Sequence, residues 1–261
     1  MKTTLAKFLT TLFFLLAAAV LSFAGSARMD KNITPMEPTP ACDWSGFYIG
    51  LNAGIGEFQP TLTDLDYSEG YGSLAYSTTA FMGGGQLGYN WQMNNLVLGL
   101  EADASGSTAD VHVRHDFGSI TPGHTFNEDK ASVDFLVTIR PRIGIAFQNA
   151  LLYVTAGGAY ANGSWEQRVV NPTFSLQDEF WKGEDWRWGW TGGGGLEYML
   201  GCHWTLRAEV LYTHLQSDTV NGVLPNNPTN AHDARLQWRF DDDIYNTRVG
   251  INYKFGSFFG H

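Results

Sequence analysis

The sequence predicts an all-β, eight-stranded antiparallel up-and-down transmembrane β-barrel, with short periplasmic turns and four long extracellular loops. Three observations predict it. The chain opens on an export signal. Nothing after Arg28 offers the roughly 18 continuous apolar residues that a membrane helix needs. From Trp44 to Phe255 the chain is a series of segments with period-two alternation, joined by tight turns and long polar stretches in alternation.

The export signal comes first. Lys2 and Lys7 precede an apolar run from Phe8 to Ala24, the pattern of a secretory signal peptide. Small residues at Ser22 and Ala24, or at Gly25 and Ala27, suit signal peptidase. Residues 1–24 are therefore expected to be removed, with cleavage after 24 or 27. Residues 28–43 follow as a polar periplasmic segment carrying Pro35, Pro38 and Pro40, which favour an extended chain. The barrel is assigned to 44–255 and a short C-terminal tail to 256–261.

Composition agrees with a wall of strands in which only alternate residues meet lipid: 44% hydrophobic, 14% aromatic, 16% charged and 30 glycines. The formal charge of −10 becomes two units more negative once Lys2 and Lys7 leave, which argues against a nucleic-acid partner. The acids gather in the polar stretches, at Asp64 and Asp66, Glu128 and Asp129, Asp178 and Glu179, and Asp241 to Asp243. They read as solvated loop faces in preference to a cation bridge to lipopolysaccharide.

Eight strands follow in order: Phe47 to Gly56, Phe81 to Gln92, Leu96 to Ala104, Val133 to Ile145, Leu151 to Ala161, Trp186 to Met199, Trp204 to Thr213 and Arg248 to Phe255. The last alternates most clearly, with Val249, Ile251, Tyr253 and Phe255 opposed to Arg248, Gly250, Asn252 and Lys254. In the seventh, Trp204, Leu206, Ala208, Val210 and Tyr212 oppose Arg207 and Glu209. In the fourth, Phe135, Val137 and Ile139 oppose Asp134, Thr138, Arg140 and Arg142.

Tight turns are expected at Met93 to Asn95, Gln148 to Ala150 and Leu200 to Cys202. Long loops are expected at Phe58 to Ala80, Ser105 to Ser132, Asn162 to Asp185 and Leu215 to Asp243, each roughly 20 to 30 residues against the few of an ordinary hairpin. Such asymmetry belongs to an outer-membrane barrel, whose turns face the periplasm and whose loops face outside. Together with the export signal it sets aside a soluble barrel, whose apolar face would point inward. Trp44, Phe47, Tyr48, Tyr89, Trp91, Tyr198 and Trp204 then fall at the periplasmic interface, and Trp186, Trp188 and Trp190 at the outer one.

The expected lumen face carries Glu101, Asp103, Asp134, Arg140, Arg142, Arg187, Glu197, Arg207, Glu209, Arg248 and Lys254. An eight-stranded barrel has an interior just wide enough for side chains, so these groups are expected to pair with one another. Interior glycines at Gly84, Gly88, Gly193 and Gly195 would leave room for the long arginines.

No catalytic, cofactor or metal site is expected. His112, His115, His124, His214 and His232 lie in or near loops without a nucleophile motif, and His112 and His115 would point to opposite faces of a strand. The glycine tracts Gly83 to Gly85 and Gly192 to Gly195 have neither a following helix nor a Lys in register, and suit strand packing better than a phosphate cradle. Cys42 and Cys202 fall at the same periplasmic end. A disulfide between them is sterically allowed, and two free thiols are the other reading.

The start, Asp43-Trp44-Ser45-Gly46-Phe47-Tyr48-Ile49-Gly50-Leu51-Asn52-Ala53-Gly54, and the end, Arg248 to Phe255, resemble those of small outer-membrane β-barrel proteins: the immunogenic outer-membrane proteins of brucella and rhizobia and the opacity-type surface proteins, often labelled porin family. The resemblance spans Trp44 to Phe255. It implies an OmpA-like barrel in the outer membrane of a Gram-negative bacterium, inserted by the barrel assembly machinery. It also implies that Val249, Ile251, Tyr253 and Phe255 form the insertion signal, although the tail 256–261 moves that signal away from the chain's end.

The function expected is non-enzymatic: a monomer that contacts lipid and lipopolysaccharide, supports envelope integrity and reaches a host or surface ligand through its loops. The alternatives are a narrow porin for ions or small solutes and, third, a lipid-modifying enzyme.

Overall fold

A computed structural model describes residues 42–64, 73–75, 77–117, 125–170, 179–222 and 236–255. The signal peptide with its two cleavage positions, the lead-in up to residue 41 and the tail 256–261 lie outside the described residues.

The strands are β1 (Gly46–Asp64), β2 (Ser73–Ala75), β3 (Thr78–Met93), β4 (Leu96–Phe117), β5 (Thr125–Phe147), β6 (Ala150–Val170), β7 (Glu179–Leu200), β8 (Trp204–Gly222) and β9 (Leu236–Lys254). β2 is a three-residue strand paired with the far end of β1. The other eight are each antiparallel to the next, and β1 pairs with β9 from Tyr48↔Lys254 to Asp64↔Trp238, closing the barrel.

Tight turns at one end fix this register. Asn94 and Gln148 take left-handed backbone conformations (φ 56° and 52°), and Gly201 does so at 68°. Asn and Gly tolerate that region at low steric cost. The ladder continues into each turn, since Ala146 N donates to Asn95 O, Met199 N to Asn149 O and Lys254 N to His203 O.

Alternation sorts the side chains. Leu51, Leu87, Leu100, Ile139, Ile143, Val154, Leu206 and Val249 point outward and are exposed, as are Trp91, Trp186, Trp188, Trp190 and Trp204. Their inward neighbours are buried and mostly polar, among them Asn52, Gln86, Glu101, Arg140, Glu209 and Asn252. An apolar skin over a polar filling suits lipid outside, and the closed ladder pairs backbone groups strand to strand within the wall.

Two expectations about the strands need correction. The strands are much longer than a bilayer requires: β5 has 23 residues and β4 has 22, against about 9–11 for a tilted spanning strand. Most of the expected loop Ser105 to Ser132 is therefore strand, paired out to Phe117↔Thr125, and most of Asn162 to Asp185 is strand paired out to Val169↔Glu179. Parts of Phe58 to Ala80 and Leu215 to Asp243 are likewise strand. Runs of polar and charged residues, such as Arg114 to Asp116 and Asn127 to Lys130, interrupt the apolar alternation there, so hydrophobic periodicity stopped reporting the strands.

This crown is split. Among the described residues, β7–β8 pairing ends at Gly189↔Leu215 and β3–β4 pairing at Met82↔Ser107. Yet β7 runs back to Glu179, β8 on to Gly222 and β4 on to Phe117. Above the body, β4–β5–β6–β7 forms one sheet and β8–β9–β1–β2 the other. Register shifts mark the boundary, between Gly106 and Ala109, Val133 and Phe135, and Leu215 and Asp218. Bulges of this kind bend a strand and re-aim its side chains at a barrel rim.

The second correction concerns Asp134. It falls at the β5 bulge and is exposed, so it does not join the lumen charges.

Candidate functional site

The lumen is stacked in three layers. At the centre, four acids (Glu101, Asp103, Glu197, Glu209) meet four arginines (Arg140, Arg142, Arg207, Arg248), all buried. Arg140 reaches Glu101 at 2.7 Å, Asp103 at 2.9 Å and Glu209 at 3.3 Å. Arg207 spans Glu101 at 2.5 Å and Glu209 at 3.1 Å. Arg248 joins Asp103 at 2.9 Å and Glu209 at 2.7 Å, and Arg142 holds Glu197 at 3.1 Å. The layer balances to zero charge, which is what burial of so many ions demands, because an unpaired one would face a large desolvation penalty.

The sheet register assembles this layer. Along one row, Tyr48↔Gly88, Gly88↔Glu101 and Glu101↔Arg140 are cross-strand partners. Across the barrel, Tyr153↔Gly195, Gly195↔Glu209 and Glu209↔Arg248 repeat the same order of residue types. In each row the tyrosine lies over the glycine and donates to the glutamate beyond it, Tyr48 to Glu101 at 2.6 Å and Tyr153 to Glu209 at 2.9 Å. A Cβ on Gly88 would lie 2.3 Å from Tyr48 Oη, and one on Gly195 2.5 Å from Tyr153 Oη. The room at these two glycines therefore serves tyrosine rings, not the arginines for which the sequence reserved it. The Arg142 guanidinium lies 4.8 Å from the Tyr48 ring centre and 5.2 Å from that of Tyr153, within range of both ring faces.

Amides extend the layer. Asn52 donates to Gln86, Gln86 to Asn252 and Asn252 to Glu197, at 2.6, 2.7 and 2.7 Å. Asn90 accepts from Arg142 at 2.9 Å. Thr138 donates to Asp103 and Thr205 to Glu197. Sequence reasoning missed these neutral partners, although the alternation that exposed the charges places them on the same face.

Above the charges lies an apolar layer: Phe58, Ala80, Met82, Leu136, Leu215 and Ile244 with small neighbours, all buried. Arg187 pairs with Asp242. Because Asp242 is the cross-strand partner of Leu215, this ion pair sits at the outer edge of the apolar layer, away from the central charges.

Below the charges, Trp44 is 1% exposed and packs with Val97, Ala146, Leu151, Tyr153 and Met199. It was expected at the periplasmic interface, as was Tyr48, but Trp44 lies inside the periplasmic mouth and Tyr48 in the central charge layer. Trp44 belongs to a strap, residues 42–45, that crosses this mouth. Trp44 N donates to Gln92 at 2.6 Å and Gln92 N to Ser45 Oγ at 3.0 Å. Lys254 donates to the carbonyls of Asp43 and Ser45, so it serves the strap and not the central layer. Cys42 is bonded to Cys202 in the β7–β8 turn, with Cα atoms 5.1 Å apart.

Of the four residues expected to form the insertion signal, Val249 and Ile251 are exposed on the outer face. Tyr253 and Phe255 join an outward aromatic group with Phe47, His203 and Trp204. His112 is exposed on β4. His214 lies 2.9 Å from Asp243, which also accepts from Tyr212 at 2.8 Å. The side chains of His115, His124 and His232 lie outside the described residues.

Comparison with known proteins places this geometry. Residues 13–255 match the family model described as outer membrane protein beta-barrel domain. The 31 kDa outer-membrane immunogenic protein of Brucella melitensis is 34% identical over 260 residues, covering 92% of this chain and 98% of the relative. A 22 kDa outer membrane protein of Rhizobium leguminosarum is 28% identical, covering 68% of this chain and 67% of its own. Among solved structures, the outer membrane protein OprG from Pseudomonas aeruginosa aligns over 81% of this chain and 96% of its own, at 18% identity and a TM-score of 0.42.

Proposed function

Because this chain belongs to the outer membrane protein β-barrel domain family and resides in the outer membrane of a Gram-negative bacterium, we propose that it is a non-enzymatic, sealed anchor that displays a split β-crown for contact at the cell surface. One observation carries this reading: a body whose lumen is filled from mouth to mouth is continuous with strands that rise well past the bilayer and, among the described residues, end in sheet edges without a paired neighbour.

The filling supports an anchor over a channel. A permeating ion would have to part a neutral, mutually bonded charge layer and two apolar layers, each of which excludes water. The free edges support contact, because an unpaired strand offers a row of backbone donors and acceptors to an incoming chain. That the Brucella melitensis relative is named an outer-membrane immunogenic protein supports surface display. In the envelope, a rigid body held by cross-barrel ion pairs would add a lipid-contacting, non-leaking element to the outer membrane.

The test is a crownless variant in which residues 59–77, 108–133, 163–185 and 216–241 are each replaced by a two-residue turn between strands that remain paired. The body should still form, seen as different migration of boiled and unboiled protein. Cells carrying it should adhere to cultured cells and coated surfaces no better than cells lacking the protein. Adhesion equal to that conferred by the full-length protein would overturn the assignment of contact to the crown.

A further inference from the structure

We propose that the Cys42–Cys202 disulfide is made on the unclosed chain in the periplasm, by exchange with a disulfide-bearing carrier protein, and that it works as a staple for barrel closure.

The closing seam is the hardest pairing in this fold. Every other wall pair joins strands that follow one another in sequence, whereas β1 must find β9 at the opposite end of the chain. Lys254 and Asp43, in contact once the seam is made, are 211 positions apart. Closing so long a loop is entropically costly before any native contact offsets it.

The disulfide bridges this seam. Cys42 lies just before β1, and Cys202 lies in the turn that leads into β8, the strand that pairs with β9. With the bridge in place, a separation of 160 positions is already closed. The start of β1 is then tethered to the same end of the β8–β9 hairpin whose free edge it must join. Both sulfurs lie on the periplasmic side, with the turn residue Cys202 exposed and Cys42 half-buried against the Trp44 cluster. Ordering of the strap follows from the same tether, because Asp43, Trp44 and Ser45 make contacts with Lys254 and Gln92 that exist only when β1, β3 and β9 are together.

The chemistry balances. One cysteine thiolate attacks the carrier's disulfide and releases one carrier thiol. The second cysteine thiolate attacks the resulting mixed disulfide and releases the other. Two electrons pass to the carrier, which leaves as a dithiol holding the two protons the cysteines gave up. The exported compartment supplies carriers of this class.

The test compares rates of closure. The full mature chain, unfolded in urea with the disulfide intact or reduced, is diluted into phosphatidylcholine vesicles, and the heat-modifiable folded band is followed with time. The oxidised chain should close at least threefold faster than the reduced one, and a Cys42→Ser/Cys202→Ser variant should follow the reduced rate with or without dithiothreitol. Equal or slower closure of the oxidised chain would overturn the staple. In cells, pulse-labelling with thiol alkylation should find the disulfide in protein that is not yet heat-modifiable, and Cys202→Ser protein should accumulate as a reducible mixed disulfide through Cys42. A disulfide found only in the heat-modifiable fraction, or no mixed disulfide, would overturn formation on the unclosed chain by a carrier.

Discussion

The hydroxyl of Tyr48 on β1 donates to Glu101 on β4 at 2.6 Å, passing over the intervening strand β3 at Gly88. Two strands that are not paired in the sheet are thereby linked through the lumen, and the glycine between them is what allows it. Its counterpart across the barrel links Tyr153 on β6 to Glu209 on β8 over Gly195.

Gly88→Ala should therefore be costly. The new methyl would sit 2.3 Å from Tyr48 Oη and 2.8 Å from Leu100 O, and neither the packed ring nor the ladder carbonyl can move cheaply. A loss of about 1–3 kcal/mol is expected. Gly85→Ala, on the outer face of the same strand, meets nothing nearer than 3.5 Å and should be close to neutral. Urea unfolding in detergent micelles compares the two, and equal midpoints would refute the tyrosine-over-glycine packing.

Removing one arginine from the balanced layer leaves four acids facing three bases. Arg140→Met strips the direct partner from Glu101, Asp103 and Glu209 at once, and should cost about 3–5 kcal/mol. Adding Glu101→Gln restores neutrality and should recover part of the loss. A double-mutant cycle on unfolding free energies checks it, and additive losses would show that the two groups act independently.

Trp44 is the largest side chain of the periplasmic plug. Trp44→Ala should destabilise the barrel by about 3 kcal/mol or more while leaving the Cys42–Cys202 bridge intact by mass spectrometry. Thermal conversion of the unboiled to the boiled migration form reports the change. An unchanged conversion temperature would place the indole outside the packed mouth.

Single cysteines map the topology without interference, since both native thiols are bonded to one another. Asp110→Cys, His112→Cys and Ser217→Cys, all exposed on crown strands, should react with a membrane-impermeant maleimide on intact cells. Asn94→Cys and Asn149→Cys, in the tight turns, should react only after the outer membrane is permeabilised. The reverse pattern would invert the barrel.

Period-two alternation made the bilayer-spanning body legible because lipid enforces it: a residue such as Leu51 or Val249 must be apolar, and its neighbours Asn52 and Arg248 need not be. The crown was not legible, because it lies beyond the lipid that imposes this constraint, and polar runs such as Arg114 to Asp116 and Asn127 to Lys130 break its alternation. The acids and arginines of the lumen stood out by charge, but their partition into a central layer, a strap contact at Lys254 and an outer pair at Arg187 depends on height along the barrel, which only register gives. Asp134 obeyed the alternation in sequence and was displaced by a bulge that no local signal marks. Trp44 resembled an interfacial aromatic because its position relative to the mouth depends on a strap that a disulfide between residues 160 positions apart pins across it.

Single-channel recording in planar bilayers tests the sealed lumen most directly. Purified, heat-modifiable protein with its disulfide intact should give no conductance steps across many insertions at voltages that open other reconstituted channels. Reproducible steps that scale with protein inserted, and that change their ion selectivity in Arg140→Met or Glu101→Gln protein, would contradict it.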